Sequence, residues 1–293
     1  MRPRPDAALA MSSGPPAARK PGVVQPALLN MSAWLRPEPG LTVVTPLVRA
    51  LVLISAFSPQ ERWLGNGQLA QRTGLPPSTV SRIAQSLVHL GYLLHDGAER
   101  KYRLAPAVLG LGYAAIAHSA IQGLAGERMA AFARQHKVHV CLAARDRLDL
   151  VVLECRRSLE CPVALPLHVG MRVGIAQSPM GWSMLAALPE LERCYLLDNV
   201  ERRMARDWSR LRRRVWEGMA QVGETGYCTS IGEWNPELGA LATPVLLEGS
   251  SPFVLACIGT SQTMTRARVA RELGPRLLAM REALQTEFNV IGH

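Results

Sequence analysis

The stretch from Gln68 to Leu104 constrains this chain most, because its local signals come in an order that few folds accept. Gln68 to Thr73 reads as a short helix, and Gly74 follows where a helix end needs a residue tolerant of positive φ. Pro76 and Pro77 then fall where a helix has free first-turn N–H groups. From there Val80, Ile83, Leu87 and Leu90 form the inward stripe of a third helix, stopped by Gly91. Upstream, Thr45 and Pro46 open a first helix with Leu47, Ala50, Leu51 and Ile54 at helical spacing, ended by Ser58 and Pro59. Downstream the period becomes that of strands. Tyr92 to His95 and Arg100 to Leu104 flank Asp96 and Gly97, which predicts a β-hairpin whose tip turns at Gly97. Three helices with a tight turn before the last, then a basic hairpin, are the recipe of a winged helix-turn-helix.

The third helix leaves Ser78, Ser81, Arg82 and Gln85 on its outer face, with Thr79 and Ser86 at the margin. These are side chains a major groove can use: Arg reaches guanine O6 and N7, Gln reaches adenine, and hydroxyls reach phosphates or either base class. Arg100, Lys101 and Arg103 on the hairpin suit phosphates or a minor-groove edge. On any single helix such a face is more often merely solvated. Here the charge agrees with the motif. Lys and Arg number 33 against 23 Asp and Glu, and residues 1–122 hold twelve basic against five acidic residues, so most of the net +10 lies where a polyanion would bind.

The 293 residues, 48% hydrophobic, suffice for more than one domain. Residues 1–41, rich in Pro, Ala and Arg and without an apolar h-region, read as a disordered tail. Residues 42–105 form the winged helix-turn-helix domain, 106–122 a linker helix, and 123–293 a second domain. In the latter, strands are predicted at Val138–Ala144, Leu150–Glu154, Tyr227–Ser230, Leu241–Val245 and Phe253–Thr260. Helices are predicted at Ser178–Ala187, Glu190–Leu197, Asp207–Glu224 and Arg266–Phe288, which makes this domain α+β. The six cysteines contain no C-x-x-C pair, so reduced, mostly buried thiols are the simplest account. No stretch is apolar enough for a membrane span, and a soluble cytoplasmic protein without cofactor or metal is expected. His136 and His139 do not project together if the strand begins between them, which leaves His139 as a polar residue on a strand face. Two loose G-x-G-x-x-A matches, at Gly65 and Gly110, lack the βαβ context of a dinucleotide site. Gly181-Trp182-Ser183 begins like a nucleophile elbow but lacks the second glycine. The arginines between Arg202 and Arg214 are interleaved with Trp208, Leu211, Val215 and Trp216, as in an amphipathic helix with a solvated basic face.

Gln68 to Arg82 resembles the helix-turn-helix of IclR-type transcriptional regulators, and Leu90-Gly91-Tyr92 and Tyr102-Arg103-Leu104 fit the same pattern. Gly226-Tyr227, Gly232 to Pro236 and Ala240 to Val245 resemble that family's effector-domain block. The resemblance spans about Thr45 to Phe288. It implies a GAF-like effector-binding domain, a homodimer or tetramer, a double-stranded DNA operator and a small organic effector, often an acid or aromatic. Family members often carry a basic residue where this chain has Pro77. By the same alignment, pocket positions fall near Ser230, Leu238, Ala240, Cys257 and Gly259, with Ser230 replacing an acidic residue that some members use.

Independently of the resemblance, Gln177 and Ser178 at a helix start have the hydroxyl and free N–H groups to hold an anion. Cys257 and Gly259, two apart on a strand, share one face. The expectation is an effector-modulated DNA-binding regulator and not an enzyme. The rivals are a ligand-independent DNA-binding protein with a C-terminal assembly domain, and an enzyme built on the ligand-binding domain, against which no nucleophile–base set or metal cluster is visible.

Overall fold

A computed structural model describes residues 44–58, 61–117, 120–163 and 167–291. The tail expected over residues 1–41 lies outside the described residues. The first unit contains α1 (Thr45–Ile54), β1 (Leu64–Gly65), α2 (Asn66–Thr73), α3 (Pro77–His89), β2 (Leu93–Asp96) and β3 (Lys101–Leu104). Its antiparallel sheet has the order β1-β3-β2, so the hairpin is completed by a two-residue strand too short for its periodicity to be visible in sequence. Leu53, Leu64, Leu69, Leu75, Val80, Ala84, Leu87 and Leu93 form its core.

The turn before α3 follows from local chemistry. Gly74 caps α2 with φ +70°, its N–H donating to the Ala70 carbonyl at 2.9 Å. Thr73 Oγ1 donates to Leu69 O at 2.7 Å and accepts from Leu75 N at 3.3 Å, binding the turn to the helix it leaves. Asn66 Nδ2 donates to Pro77 O at 3.1 Å, which ties the start of α2 to the start of α3. Two expectations are corrected. Leu90 is 63% exposed, because α3 ends at His89 and its buried stripe is Val80, Ala84 and Leu87. At the hairpin tip the left-handed residue is Arg100 (φ 52°), not Gly97, because Asp96 Oδ1 accepts from Ala98 N and Glu99 N at 2.9 and 3.1 Å and carries the turn one residue farther.

Helix α4 (Ala107–Ala117) follows, then α5 (Ala120–His136). The linker helix expected over 106–122 therefore covers two helices, the second of which runs on into the next unit. There, β4 (His139–Asp146), β5 (Asp149–Arg156), β6 (Arg172–Gly174), α6 (Pro179–Ala187), α7 (Glu190–Arg203) and α8 (Trp208–Thr225) precede β7 (Cys228–Ile231), β8 (Leu238–Val245) and β9 (Phe253–Thr260). The chain closes with α9 (Arg266–Arg268), a π-helical turn at Val269–Leu273 and α10 (Gly274–Ile291). The six-stranded antiparallel sheet has the order β6-β5-β4-β9-β8-β7.

Because side chains alternate along strands, this sheet serves two separate cores. Its inner face meets Met180, Trp182, Met184 and Leu185 of α6, with Val200, Trp208 and Val215 from α7 and α8. Its outer face meets Met129, Phe132 and Ala133 of α5 and Leu277, Met280 and Leu284 of α10. The inner face is floored by small residues, among them Ala240, Ala242 and Ala256. Gly181 lets α6 press against the Ile175 backbone, where a Cβ would overlap the Ile175 carbonyl. His139 is buried rather than a polar face residue, its Nε2 facing Val163 O at 2.9 Å and its Nδ1 accepting from Ser158 N at 3.2 Å. Trp216, expected on the apolar side of α8, is 48% exposed. Among the described residues no helix is long and apolar enough to cross a membrane.

Candidate functional site

In the first unit α3 presents Ser78, Arg82 and Gln85 to solvent at i, i+4 and i+7, with Thr79 and Ser81 half-buried beside them. Ser86 is exposed but turns back, its Oγ donating to Arg82 O at 3.1 Å. The helix begins at Pro77, so its first-turn N–H groups face the same end as Ser78. Among the described residues Arg82 makes no ion pair, which leaves its guanidinium fork free for a planar acceptor.

The hairpin cations differ in availability. Lys101 and Arg103 alternate with buried Tyr102 and share the opposite face of β3. Lys101 Nζ lies 3.1 Å from the Glu99 carboxylate in an exposed pair, which water screens and a phosphate can displace. The Arg103 guanidinium sits 5.0 Å over the Trp63 ring, a stacked position that holds it against the protein. Arg100 is exposed at the tip and, among the described residues, has no ion pair. Sequence reasoning missed Trp63. The aromatic residue before the Leu64-Gly65 strand was a signal for it, once β1 is recognised as the third strand of the wing.

Arg72 belongs to the framework instead. It donates to Ala56 O at 2.9 Å and pairs with Glu61, bracing α2 against the end of α1.

In the second unit the structure divides the expected effector residues. Ser230, Leu238 and Ala240 all face the inner core, with Ser230 directly opposite Ala240. Ser230 Oγ accepts from Trp234 N at 3.0 Å and so fixes the loop from Gly232 to Pro236. Cys257 and Gly259 do share one face, but it is the outer one. Cys257 packs in the α5–α10 core, and Gly259 lies under Met264. The β9 residues on the inner face are Val254, Ala256 and Ile258, the last two the partners of Ala242 and Ala240. A one-residue slip in alignment moves a strand residue through the sheet, which is why Cys257 and Gly259 cannot join Ser230 and Ala240 in one site.

Gln177 and Ser178 do not form a joint anion site either. Ser178 is fully buried and caps α6, its Oγ accepting from Gly181 N at 3.2 Å and donating to Gly174 O at 3.4 Å, whereas Gln177 is exposed with its side-chain amide folded back over Gly174. Ser183, in the elbow-like run, is fully buried inside α6.

A cleft of about 680 Å³ opens along the outer edge of β7, between α8 and the start of α9. Gln221 seals part of that edge, its Oε1 accepting from Thr229 N at 2.8 Å. Arg214, at the mouth, is paired with Glu233 at 2.8 Å and Glu217 at 3.2 Å. None of the seven expected effector residues lines this cleft.

The IclR helix-turn-helix domain model matches residues 46–97. Over 253 residues the chain is 30% identical to the HTH-type transcriptional regulator TsaQ1/TsaQ2 of Comamonas testosteroni, covering 86% of this chain and 91% of that one. An IclR family transcriptional regulator from Brucella abortus superposes with a TM-score of 0.76 at 34% identity, covering 84% of this chain and 93% of the other. An IclR homologue from Microbacterium hydrocarbonoxydans, crystallised with 4-hydroxybenzoate, has the same fold, with a TM-score of 0.63 at 21% identity over 84% of this chain and 99% of its own.

Proposed function

The chain belongs to the IclR family of transcriptional regulators, and we propose that it reads its operator as a homo-oligomer under the control of a small organic acid, aromatic in class. The observation that carries the DNA-reading part is the exposed face of Ser78, Arg82 and Gln85 on α3 beside the free Arg100 of the wing. Arg82 and Gln85 contact base edges, while Ser78, Arg100 and Lys101 hold phosphates, with Thr79 and Ser81 supporting them from the margin of the helix. Arg103 contributes mainly through its stacking on Trp63.

Oligomerisation is supported by apolar side chains left in water on two helices of the DNA-binding half. Leu47 and Leu51 of α1 are 59% and 47% exposed, and Leu109, Leu111 and Tyr113 of α4 are 75%, 58% and 69% exposed. Apolar side chains exposed on these two helices favour an interface there, and a pair of winged units then reads two half-sites. The boundaries that follow are a DNA-binding domain to about residue 105, a linker ending within α5, and an effector and assembly domain beyond it.

The effector is assigned to the inner face of the six-stranded sheet, around Ser230, Leu238 and Ala240, with Ala256 and Ile258 completing the floor. Support comes from the small residues of that floor and from the aromatic acid held by the Microbacterium homologue. The protein acts where the chromosome is, in the cytoplasm.

The test has two arms. Selection of bound duplexes from a random library yields an operator with two related half-sites, and recovery of random sequence overturns the DNA reading. Thermal-shift titration with 4-hydroxybenzoate and related acids raises Tm and alters operator affinity. Stabilisation by none of them favours a C-terminal domain that serves assembly alone, and turnover of any of them favours an enzyme.

A further inference from the structure

Across the inner face of the large sheet, successive cross-strand partners form one row: Cys155 on β5, Cys141 on β4, Ala256 on β9, Ala242 on β8 and Cys228 on β7. No side chain in this row is longer than a thiol, which is what lets α6 lie close over it. At the β5 end two thiols stand opposite each other, Sγ to Sγ 3.2 Å apart, both unoxidised. Cys141 is fully buried and Cys155 half-buried.

We propose that Cys141 and Cys155 form an oxidation site, which a peroxide converts to a cross-strand disulfide between β4 and β5. Roughly 1 Å of closure takes the sulfurs to the ~2.05 Å of an S–S bond. The two strands are already paired, so the movement falls on side chains.

The surroundings assign the two sulfurs different parts. Cys141 donates its S–H to Cys155, and this hydrogen bond holds the Cys155 thiol below its ordinary range. The Arg157 guanidinium, fixed at 2.8 Å to Leu167 O beside the same sulfur, acts in the same direction. The same hydrogen bond, together with burial, pushes Cys141 up and keeps it a thiol. Cys155 is therefore the attacking group. Its thiolate displaces hydroxide from hydrogen peroxide: an S–O bond forms, the O–O bond breaks, and the hydroxide takes up a proton to leave as water. Cys141 then gives up its proton and attacks the Cys155 sulfenic sulfur, forming S–S and breaking S–O, with a second water as product. Two thiols lose two electrons and the peroxide gains them.

Among the described residues none of the other four thiols, Cys161, Cys194, Cys228 and Cys257, is paired with a second sulfur. Cys228 and Cys257 are fully buried, and burial pushes both up, Cys257 to about 12. Cys228 donates to Pro179 O at 3.1 Å, with no sulfur opposite it. Cys194 is exposed on α7, so it serves as an internal control for simple surface oxidation.

The experiment takes the reduced full chain, treats it with hydrogen peroxide, alkylates residual thiols with iodoacetamide and digests it without reductant. The expected product is one cross-linked species joining the peptides that carry Cys141 and Cys155, lighter by two hydrogens and restored by dithiothreitol. Cys155→Ser abolishes it and leaves Cys141 unoxidised. Cys141→Ser leaves a sulfenic acid on Cys155 that dimedone traps. Circular dichroism of both variants establishes that each is folded. Recovery of both peptides alkylated while Cys194 is oxidised overturns the proposal, as does a cross-link that runs through Cys194 of a second chain.

Discussion

Arg82 and Arg100 are both exposed cations of the winged unit, yet their settings give them different work. Arg82 stands in the middle of a helix face with Gln85 one turn on, the geometry for reading base edges. Arg82→Ala is expected to weaken cognate operator binding by about 1–3 kcal/mol and to leave random DNA nearly unaffected. Arg100, exposed at the tip of the hairpin, is the cation proposed to meet phosphates. Arg100→Ala lowers affinity for every sequence and reduces the slope of log K against log salt by about 1. Fluorescence anisotropy on both duplexes across a salt series separates the two, and equal losses for both variants on both duplexes would refute the division. The α3 face was legible in the sequence because helical periodicity sorts its residues without help from elsewhere. The stacking of Arg103 on Trp63 was not, because it depends on a two-residue strand that leaves no periodic trace. The placement of Cys257 and Gly259 failed for a different reason. Fully buried strands such as β8 and β9 are apolar on both faces, so their sequence carries no alternation to say which side a residue takes.

Among the elements, α6 depends most on one residue. Gly181→Ala sets a methyl group against the Ile175 carbonyl and is expected to cost about 1–3 kcal/mol by forced overpacking. Gly223→Ala is the matched control, since it sits in α8 with nothing within 4 Å and gains helix propensity of about 0.5–1 kcal/mol. Urea unfolding of the two variants should move the midpoint in opposite directions. The end of α5 is pinned to the π-helical turn by a second device. His136 Nδ1 lies 2.8 Å from the Glu272 carboxylate, and Arg268 reaches that carboxylate at 3.2 Å and His136 O at 2.6 Å. The hydrogen bond from His136, then that from Arg268, holds Glu272 below the usual carboxylate range. A carboxylate depressed in the folded state contributes stability that is present above its unfolded value and is lost as pH falls through the folded value. Glu272→Gln should therefore lower the urea midpoint at neutral pH, with the difference from wild type closing as the solution is acidified below the carboxylate range. The effect is small, because the carboxylate is 41% exposed. Helical periodicity located the whole of 266–288 but not the π turn inside it, because the buried residues Val269, Leu273, Leu277, Met280 and Leu284 recur across it at the spacings of three and four that an uninterrupted α-helix also gives.

On the scale of the whole molecule, the proposed assembly through α1 and α4 predicts that operator affinity depends on protein concentration. Leu111→Glu places a charge among exposed leucines of α4 and should shift sedimentation toward monomer while reducing operator affinity at low protein concentration. High protein concentration should recover both. Unchanged sedimentation would remove α4 from the interface. Effector control carries its own scale, since coupling of about 1–3 kcal/mol corresponds to a change of roughly 5–150-fold in operator affinity. How such a signal crosses the domain follows from the two cores on either side of one sheet. On β4, Cys141 faces the inner compartment while its neighbours Val140 and Leu142 bear on Met129 and Phe132 of α5. The strand is thus a diaphragm one residue thick. A disulfide between Cys141 and Cys155, or an acid seated on the inner face as proposed, would tighten the inner core and press through the strand on α5, the helix that follows α4 in the chain.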